Sequence, residues 1–184
     1  MSNVTTIPVD PQSLEAVCEK AADAPTPLLW LLATGATASE DTLAALLRHA
    51  PGPAASLPVD AQDRPIEPLM GRITESDAPG ILHAVERHRL PLRHAPVTSL
   101  VVERRLVLDA LPPDPERFGW YAGAEWTARL FAQRRGMLVP ASRVRMDECP
   151  AGSPLQVLRV ARAAGWRKGE TLRELHRSVT TRRR

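Results

Sequence analysis

The sequence predicts an α/β fold, a mixed sheet flanked by helices, and three observations carry that expectation. Apolar runs of strand length recur at residues 28–32, 97–102 and 137–139. The segments between them place apolar residues at helical spacing, and strands alternating with helices make a layered α/β domain. Some connections are shorter than the crossover a parallel pair needs, so the pairing is expected to be mixed. With 184 residues, 43% of them hydrophobic, a single core is the expected size. Residues 1–150 are expected to form the α/β body and residues 151–184 a basic helical tail.

Taken in order, residues 4–7 (Val-Thr-Thr-Ile) are β-prone and stop at Pro8. Asp10 is placed to cap a helix with Pro11 at its first position, and Leu14, Val17, Cys18 and Ala21 form one helical stripe. Pro25 and Pro27 end it. The run Leu28-Leu29-Trp30-Leu31-Leu32 suits a strand covered on both faces. Ser39 caps the next helix, with Glu40 and Asp41 in the dipole-favoured first turn and Leu43, Leu46 and Leu47 as its stripe. Residues 51–79, rich in Pro, Asp and Gly, read as loop with one or two short strands, 77–87 as a short helix and 91–96 as loop. A strand at 97–102 leads into a short helix at 103–111 closed by Pro112-Pro113. The helix at 123–135 buries Trp126, Leu130 and Phe131 and stops at Gly136, before the third strand. The last helix starts near Leu155, breaks near Gly165 and resumes at Glu170.

Composition narrows the function classes. The 18 prolines and the Ala/Arg-rich vocabulary fit a high-GC coding bias, so individual Ala, Arg and Pro residues carry little weight. Cys18 and Cys149 are far apart and lack CxxC spacing, so both are expected as reduced thiols. Residues 1–10 have no basic segment followed by an apolar one, and no apolar stretch approaches membrane-spanning length. A cytoplasmic location is expected, with room for peripheral contact with the inner face of a membrane. Charge is uneven: residues 159–184 hold nine Lys/Arg against two Glu, whereas the remainder holds 15 against 19 acids. The basic character belongs to the C-terminus.

Three segments together resemble the family 2 GT-A glycosyltransferases, in particular the rhamnosyl- and galactofuranosyl-transferase-like branch. They are Trp30-Leu31-Leu32 with Ala36 and the helix starting Glu40-Asp41-Thr42-Leu43; Leu111-Pro112 through Phe118, Trp120, Glu125-Trp126 and Arg129; and Gly136-Met137-Leu138-Val139-Pro140. The resemblance implies a partial GT-A-like, Rossmann-like sheet. In that family a divalent metal held by carboxylates neutralises the departing nucleoside diphosphate, and a further carboxylate takes the acceptor proton. The matching positions here are Ala33, Thr34 and Gly35 for metal ligands, Ala122 or Gly123 for the base, and Met146 for a further ligand. Relative to the family the front of the nucleotide-binding sheet is not present in this sequence, so an incomplete uridine or thymidine pocket is expected. Glu125 is the surviving acid and the candidate base, or else simply an acid in a helix's first turn. Trp30, Trp120, Trp126, Arg129 and Arg143 are candidates for ligand binding.

Other chemistry finds little support. His49, His83, His88, His94 and His176 lack zincin spacing and read as surface residues; GxSxG, P-loop and GxGxxG motifs are not found. Ser99 and Ser178 have no evident base. In the tail, Arg159, Arg162, Arg173 and Arg177 recur at helical spacing opposite Leu155, Leu158, Leu172 and Leu175, with Arg167 and Lys168 between them. This basic amphipathic pair is either a solvated face or a contact for anionic lipid or an acidic partner. Nucleic acid is disfavoured, because aromatics do not interleave with the basic residues.

The expectation is therefore a catalytically degenerate GT-A-like protein without metal or cofactor. It would act as an accessory partner of a full-length glycosyltransferase in cell-envelope glycan assembly, or as a homo-oligomer. The alternatives are a metal-independent transferase using Glu125 with Arg129 or Arg143, and an interaction module for lipid or nucleic acid.

Overall fold

The computed structural model of the chain describes residues 3–10, 14, 16–66, 72–73, 90–146, 153–166 and 168–181, and its centre is a mixed sheet. The strands are β1 (Val4–Val9), β2 (Leu28–Ala33), β3 (Ala36–Ala38), β4 (Ala54–Val59), β5 (Arg72–Ile73), β6 (Leu90–His94), β7 (Ser99–Glu103) and β8 (Gly136–Met146). They lie in the order β1-β2-β7-β4-β8-β6-β5, with β3 added to the far part of β8. The pairs β1/β2 and β4/β8 are parallel and the rest antiparallel. The helices are α1 (Ala16–Asp23), α2 (Glu40–Leu47), α3 (Arg104–Asp109), α4 (Pro115–Phe118), α5 (Ala122–Gln133), α6 (Pro154–Ala163) and α7 (Lys168–Thr181); a 3-10 turn, Gly119–Tyr121, joins α4 to α5.

The period of two along each strand divides the apolar residues between two faces. Leu29, Leu31, Leu57, Leu100, Val102 and Leu138 pack with α1 and α5, through Val17, Ala21, Trp126 and Leu130. Trp30, Ala54, Val101 and Val139 pack on α2 through Ala45 and Leu46. The run at 28–32 is thus covered on both faces, as its continuous hydrophobicity requires. Each buried Leu or Val contributes about 1.5–3 kcal/mol relative to an exposed one. Ser39 caps α2, and Thr42 replaces the usual Glu or Gln of a capping box by accepting from the Ser39 N–H.

Several expectations need correction. The strand expected to stop at Pro8 continues to Val9, because β1 is an edge strand and Pro8 costs it no necessary ladder donor. Residues 54–59, within the segment expected as loop with one or two short strands, form β4, which is central and buried throughout. Its small residues and Pro58 disguised it; β7 pairs only with Ala54 and Ala55, so Pro58 lies beyond that ladder. Residues 91–94, also expected as loop, belong to β6, and β5 pairs with it only at Leu92 and His94, beyond Pro91. The three-residue strand at 137–139 is the start of the long β8, whose far half alternates buried Ser142, Val144 and Met146 with exposed Arg143 and Arg145. Gly136 does not stop α5: the helix ends at Gln133 with Arg134 extended, and Gly136 opens β8, where an added Cβ would lie 2.5 Å from the Phe131 ring. His94 is buried, not on the surface, and stacks on Trp166 at 5.1 Å between ring centroids. The helix expected at 77–87, together with Pro11, His83, His88, Cys149 and Arg167, lies outside the described residues.

The C-terminal helices break at Gly165 (φ +64), as expected, but α7 begins at Lys168. Their faces also differ: Val157, Val160 and Ala161 are buried on α6, and Glu174 and Ser178 on α7, while Leu155 and Leu158 are exposed beside Arg159 and Arg162, not opposite them, and of the α7 leucines Leu175 packs on the core and Leu172 is exposed. The smaller β-branched and Ala side chains allow α6 a close approach to Phe118 and Trp120. Gly119 (φ +56) completes that approach, since a Cβ there would meet the Gln156 side chain at 1.9 Å.

A buried hydrogen-bond chain crosses the sheet on the α2 side. The Trp30 indole N–H donates to Ser99 Oγ (3.0 Å); Ser99 and Ser56 hydroxyls meet at 2.7 Å, Ser56 and Ser142 at 2.8 Å; and Ser142 Oγ donates to the Thr42 carbonyl (2.8 Å). Ser142 belongs to the irregularity of β8, where the register with β4 jumps from Ser56↔Val139 to Leu57↔Arg143. Ser56→Ala removes the middle of the chain and leaves buried hydroxyls short of a partner. It is expected to lower the unfolding free energy by about 1–3 kcal/mol, read from urea denaturation; a change indistinguishable from zero contradicts a structural role for the chain.

Candidate functional site

In an open α/β sheet, ligands bind outside the carboxyl ends of parallel strands. Here that position is the carboxyl end of β1 and β2, where α1 begins. The Thr34 N–H donates to the Val9 carbonyl at 2.7 Å, closing the two strand ends together. A crevice of about 310 Å³ opens there, lined by Val9, Asp10, Val17, Lys20 and Thr34 among others. The Lys20 ammonium donates to the Pro8 carbonyl at 3.2 Å on its rim. Gly35, at φ +82, makes the tight turn from β2 into β3. A larger groove of about 770 Å³ lies at the opposite end of β2, by Leu28, Pro51, Arg105 and Leu108. Its place at the amino end of that strand makes it the weaker candidate despite its size.

The positions named for metal ligands and base lie along one rim. Ala36, one residue past Gly35, pairs with Met146 across β3 and β8. The Ala33 N–H donates to the Thr98 carbonyl (2.8 Å), and the adjacent Val97 lies against Gly123, where a Cβ would meet it at 3.2 Å. The fold thus connects the ends of β2, β8 and α5. A hard divalent cation needs several oxygen ligands. The side chains at these positions provide one exposed hydroxyl, Thr34, with methyls and a thioether otherwise, and Asp10 adds one carboxylate nearby. That donor set does not fit a metal held by the protein, and the described residues include no cluster of three or more His, Cys, Asp or Glu placed to hold one.

Glu125 lies in the first turn of α5, buried, with both oxygens accepting from Arg129: Nε to Oε1 and Nη2 to Oε2, each 2.8 Å. Arg129 also donates to the carbonyls of Leu111 (2.7 Å) and Pro112 (3.1 Å). The pair therefore staples α5 to the turn after α3 through a bidentate ion pair. Trp30, Trp120 and Trp126 are core residues; the Trp126 indole N–H is fully buried without a hydrogen-bond partner among the described residues. Arg143 is exposed on β8 and paired with Asp63. Arg159 and Arg162 are exposed on α6, Lys168 and Arg173 on α7; Arg177 lies in α7, and its side chain is not described. None of these cations lines the crevice. Burial pushes the free Cys18 thiol up, a rise that nearby Arg129 partly offsets, so the thiol stays protonated at neutral pH.

Asp10 and Lys20 were not among the residues singled out for ligand binding. Asp10 was read as a helix cap, and Lys20 is a single cation on an ordinary helix. An acid directly after a parallel edge strand is the signal that was available, and it became useful only once β1 extended to Val9.

No family model matches the chain, and neither does any curated protein. A solved structure of GalNAc-T7 with UDP, GalNAc and Mn2+ is similar, with a TM-score of 0.54 at 13% identity. The fold is GT-A-like. The alignment covers 81% of this chain and 34% of GalNAc-T7, so the chain spans about a third of the glycosyltransferase it matches. At this identity the likeness concerns the backbone frame alone.

Arg129→Met leaves the buried Glu125 carboxylate without its partner. It is expected to cost about 3 kcal/mol of stability, while Glu125→Gln/Arg129→Met recovers part of that loss because no charge is stranded. Chemical denaturation of both variants checks this, and a double variant less stable than the single one contradicts it.

Proposed function

We propose that this GT-A-like domain acts by binding rather than by transferring a sugar, as an accessory partner of a complete glycosyltransferase in cytoplasmic steps of cell-envelope glycan assembly. Its nearest kinship in this reading is the rhamnosyl- and galactofuranosyl-transferase-like branch. The observation that carries the reading is the chemistry of the rim. Sugar transfer from a nucleoside diphosphate requires neutralisation of the leaving group and a base for the acceptor. Ala33, Gly35, Ala122, Gly123 and Met146 have no group for either task, and Glu125 is engaged by Arg129. The partner half of the reading draws on β1, whose outer edge pairs with no strand among the described residues. Such edges accept another chain unless guarded, and Pro8 guards only one position.

Purified protein is expected to give no transfer from UDP- or dTDP-sugars with or without Mn2+; turnover abolished by Glu125→Gln would overturn the reading. Light scattering at micromolar protein is expected to show self-association, and a clean monomer contradicts the homo-oligomeric version, leaving a heteromer with the glycosyltransferase.

A further inference from the structure

The hairpin of α6 and α7 turns three of its four leucines outward, while Leu175 packs against the core. Leu155, Leu158 and Leu172 are 56%, 51% and 66% exposed, on helices that already bury Val157, Val160 and Ala161 in the core. On α6 the exposed Leu155, Leu158, Arg159 and Arg162 fall at i, i+3, i+4 and i+7, a single stripe of leucine and arginine. On α7 the outward residues include Lys168, Leu172 and Arg173. Among the described side chains of the two helices the one acid, Glu174, is buried and accepts a hydrogen bond from the Tyr121 hydroxyl at 2.8 Å, so it does not offset the cations outside.

We propose that this hairpin docks the protein peripherally on an anionic membrane surface. Leu155, Leu158 and Leu172 enter the headgroup boundary, and Arg159, Arg162 and Arg173 meet the lipid phosphates and carboxylates. Interfacial helices combine these two residue classes, the leucines supplying apolar burial and the cations attraction to acidic lipid. Exposed leucines separate a bilayer from nucleic acid, which would gain from the arginines but leave the leucines in water. Charge separates it from a second copy of the hairpin, whose cations would be brought against their own kind. The helices are too short and too polar to span: no described helix is long and apolar enough to cross a membrane. The inference stands apart from the accessory-partner reading and needs no property of the crevice.

Co-sedimentation of the full chain with phosphatidylcholine vesicles, with and without phosphatidylserine, tests it. Binding is expected only with the acidic lipid, and each Lys or Arg at the surface is worth about five-fold in partitioning. Arg162→Glu/Arg173→Glu is therefore expected to weaken binding at least about 25-fold, and Leu158→Ser/Leu172→Ser to weaken it as well while the melting temperature is kept. All four residues are exposed, so circular dichroism and melting confirm the fold before partitioning is compared. Equal pelleting with both vesicle types overturns the proposal. So does binding that survives the double leucine variant, a shift of single-stranded RNA without vesicle binding, or a dimer that the leucine variant dissolves.

Discussion

The hydrogen-bond chain from Trp30 to the Thr42 carbonyl sets a constraint on which the rest of the core depends. Its first member, an indole N–H, can only donate, and its last, a backbone carbonyl, can only accept. The three hydroxyls between them are therefore forced into one direction: Ser99 donates to Ser56, Ser56 to Ser142, and Ser142 to Thr42. No rotor has a second satisfied arrangement. Thr42 returns the favour by donating its own hydroxyl to the Arg143 carbonyl at 2.7 Å. Four strands and α2 are thereby fixed relative to one another by a single oriented network, in a region where an unsatisfied hydroxyl is costly. The irregularity in β8 is what admits Ser142 to it, so the strand's break in register is a requirement of the network and not a defect in the sheet.

That arrangement also explains what the sequence left legible. The fold class followed from the runs at 28–32 and 97–102 and from the Ser39 cap, because those segments obey a single period and a single burial pattern. Strand β4 was legible only as one of the short strands allowed within 51–79, because its first half, Ala54, Ala55 and Ser56, is buried for close approach and hydrogen bonding, and only Leu57 and Val59 supply bulk apolar burial. A buried serine looks like a loop serine until its partners on β7 and β8 are known. The alternation of Ser142, Val144 and Met146 with Arg143 and Arg145 was present in the sequence, but Pro140 ahead of it suggested a strand end. On α6 the close approach at Gly119 demands small inward residues, Val157, Val160 and Ala161, which leaves Leu155 and Leu158 outside beside the arginines.

The candidate site was less legible still, since the resemblance supplied positions and the fold supplied neighbours. Ala33, Gly123 and Met146 come together through backbone bonds and packing that involve Thr98, Val97 and Ala36, none of which carries chemistry of its own. Asp10 and Lys20 enter only through topology, because β1 and β2 are parallel and α1 must start beside their carboxyl ends to reach the amino end of β2. A lone acid and a lone cation ten residues apart have no pattern to notice in one dimension.

Packing along the rim distinguishes positions with room for a larger side chain from positions without it. Thr34 and Gly35 are exposed, and a side chain on Gly35 would meet nothing within 4 Å, although its positive φ disfavours any residue but glycine. Gly123 is different. An added Cβ would sit 3.2 Å from both the Val97 side chain and its backbone nitrogen, and 3.3 Å from Leu14. The backbone nitrogen cannot give way as a side-chain tip can, and Val97 is held next to Thr98, whose carbonyl is bonded to Ala33. A carboxylate at 123 would therefore push on the very segment that positions the end of β2. The core has settled around the smallest residue there, so an acid at 123 conflicts with the packing of α5 against the sheet, whereas at 34 it would alter one surface side chain.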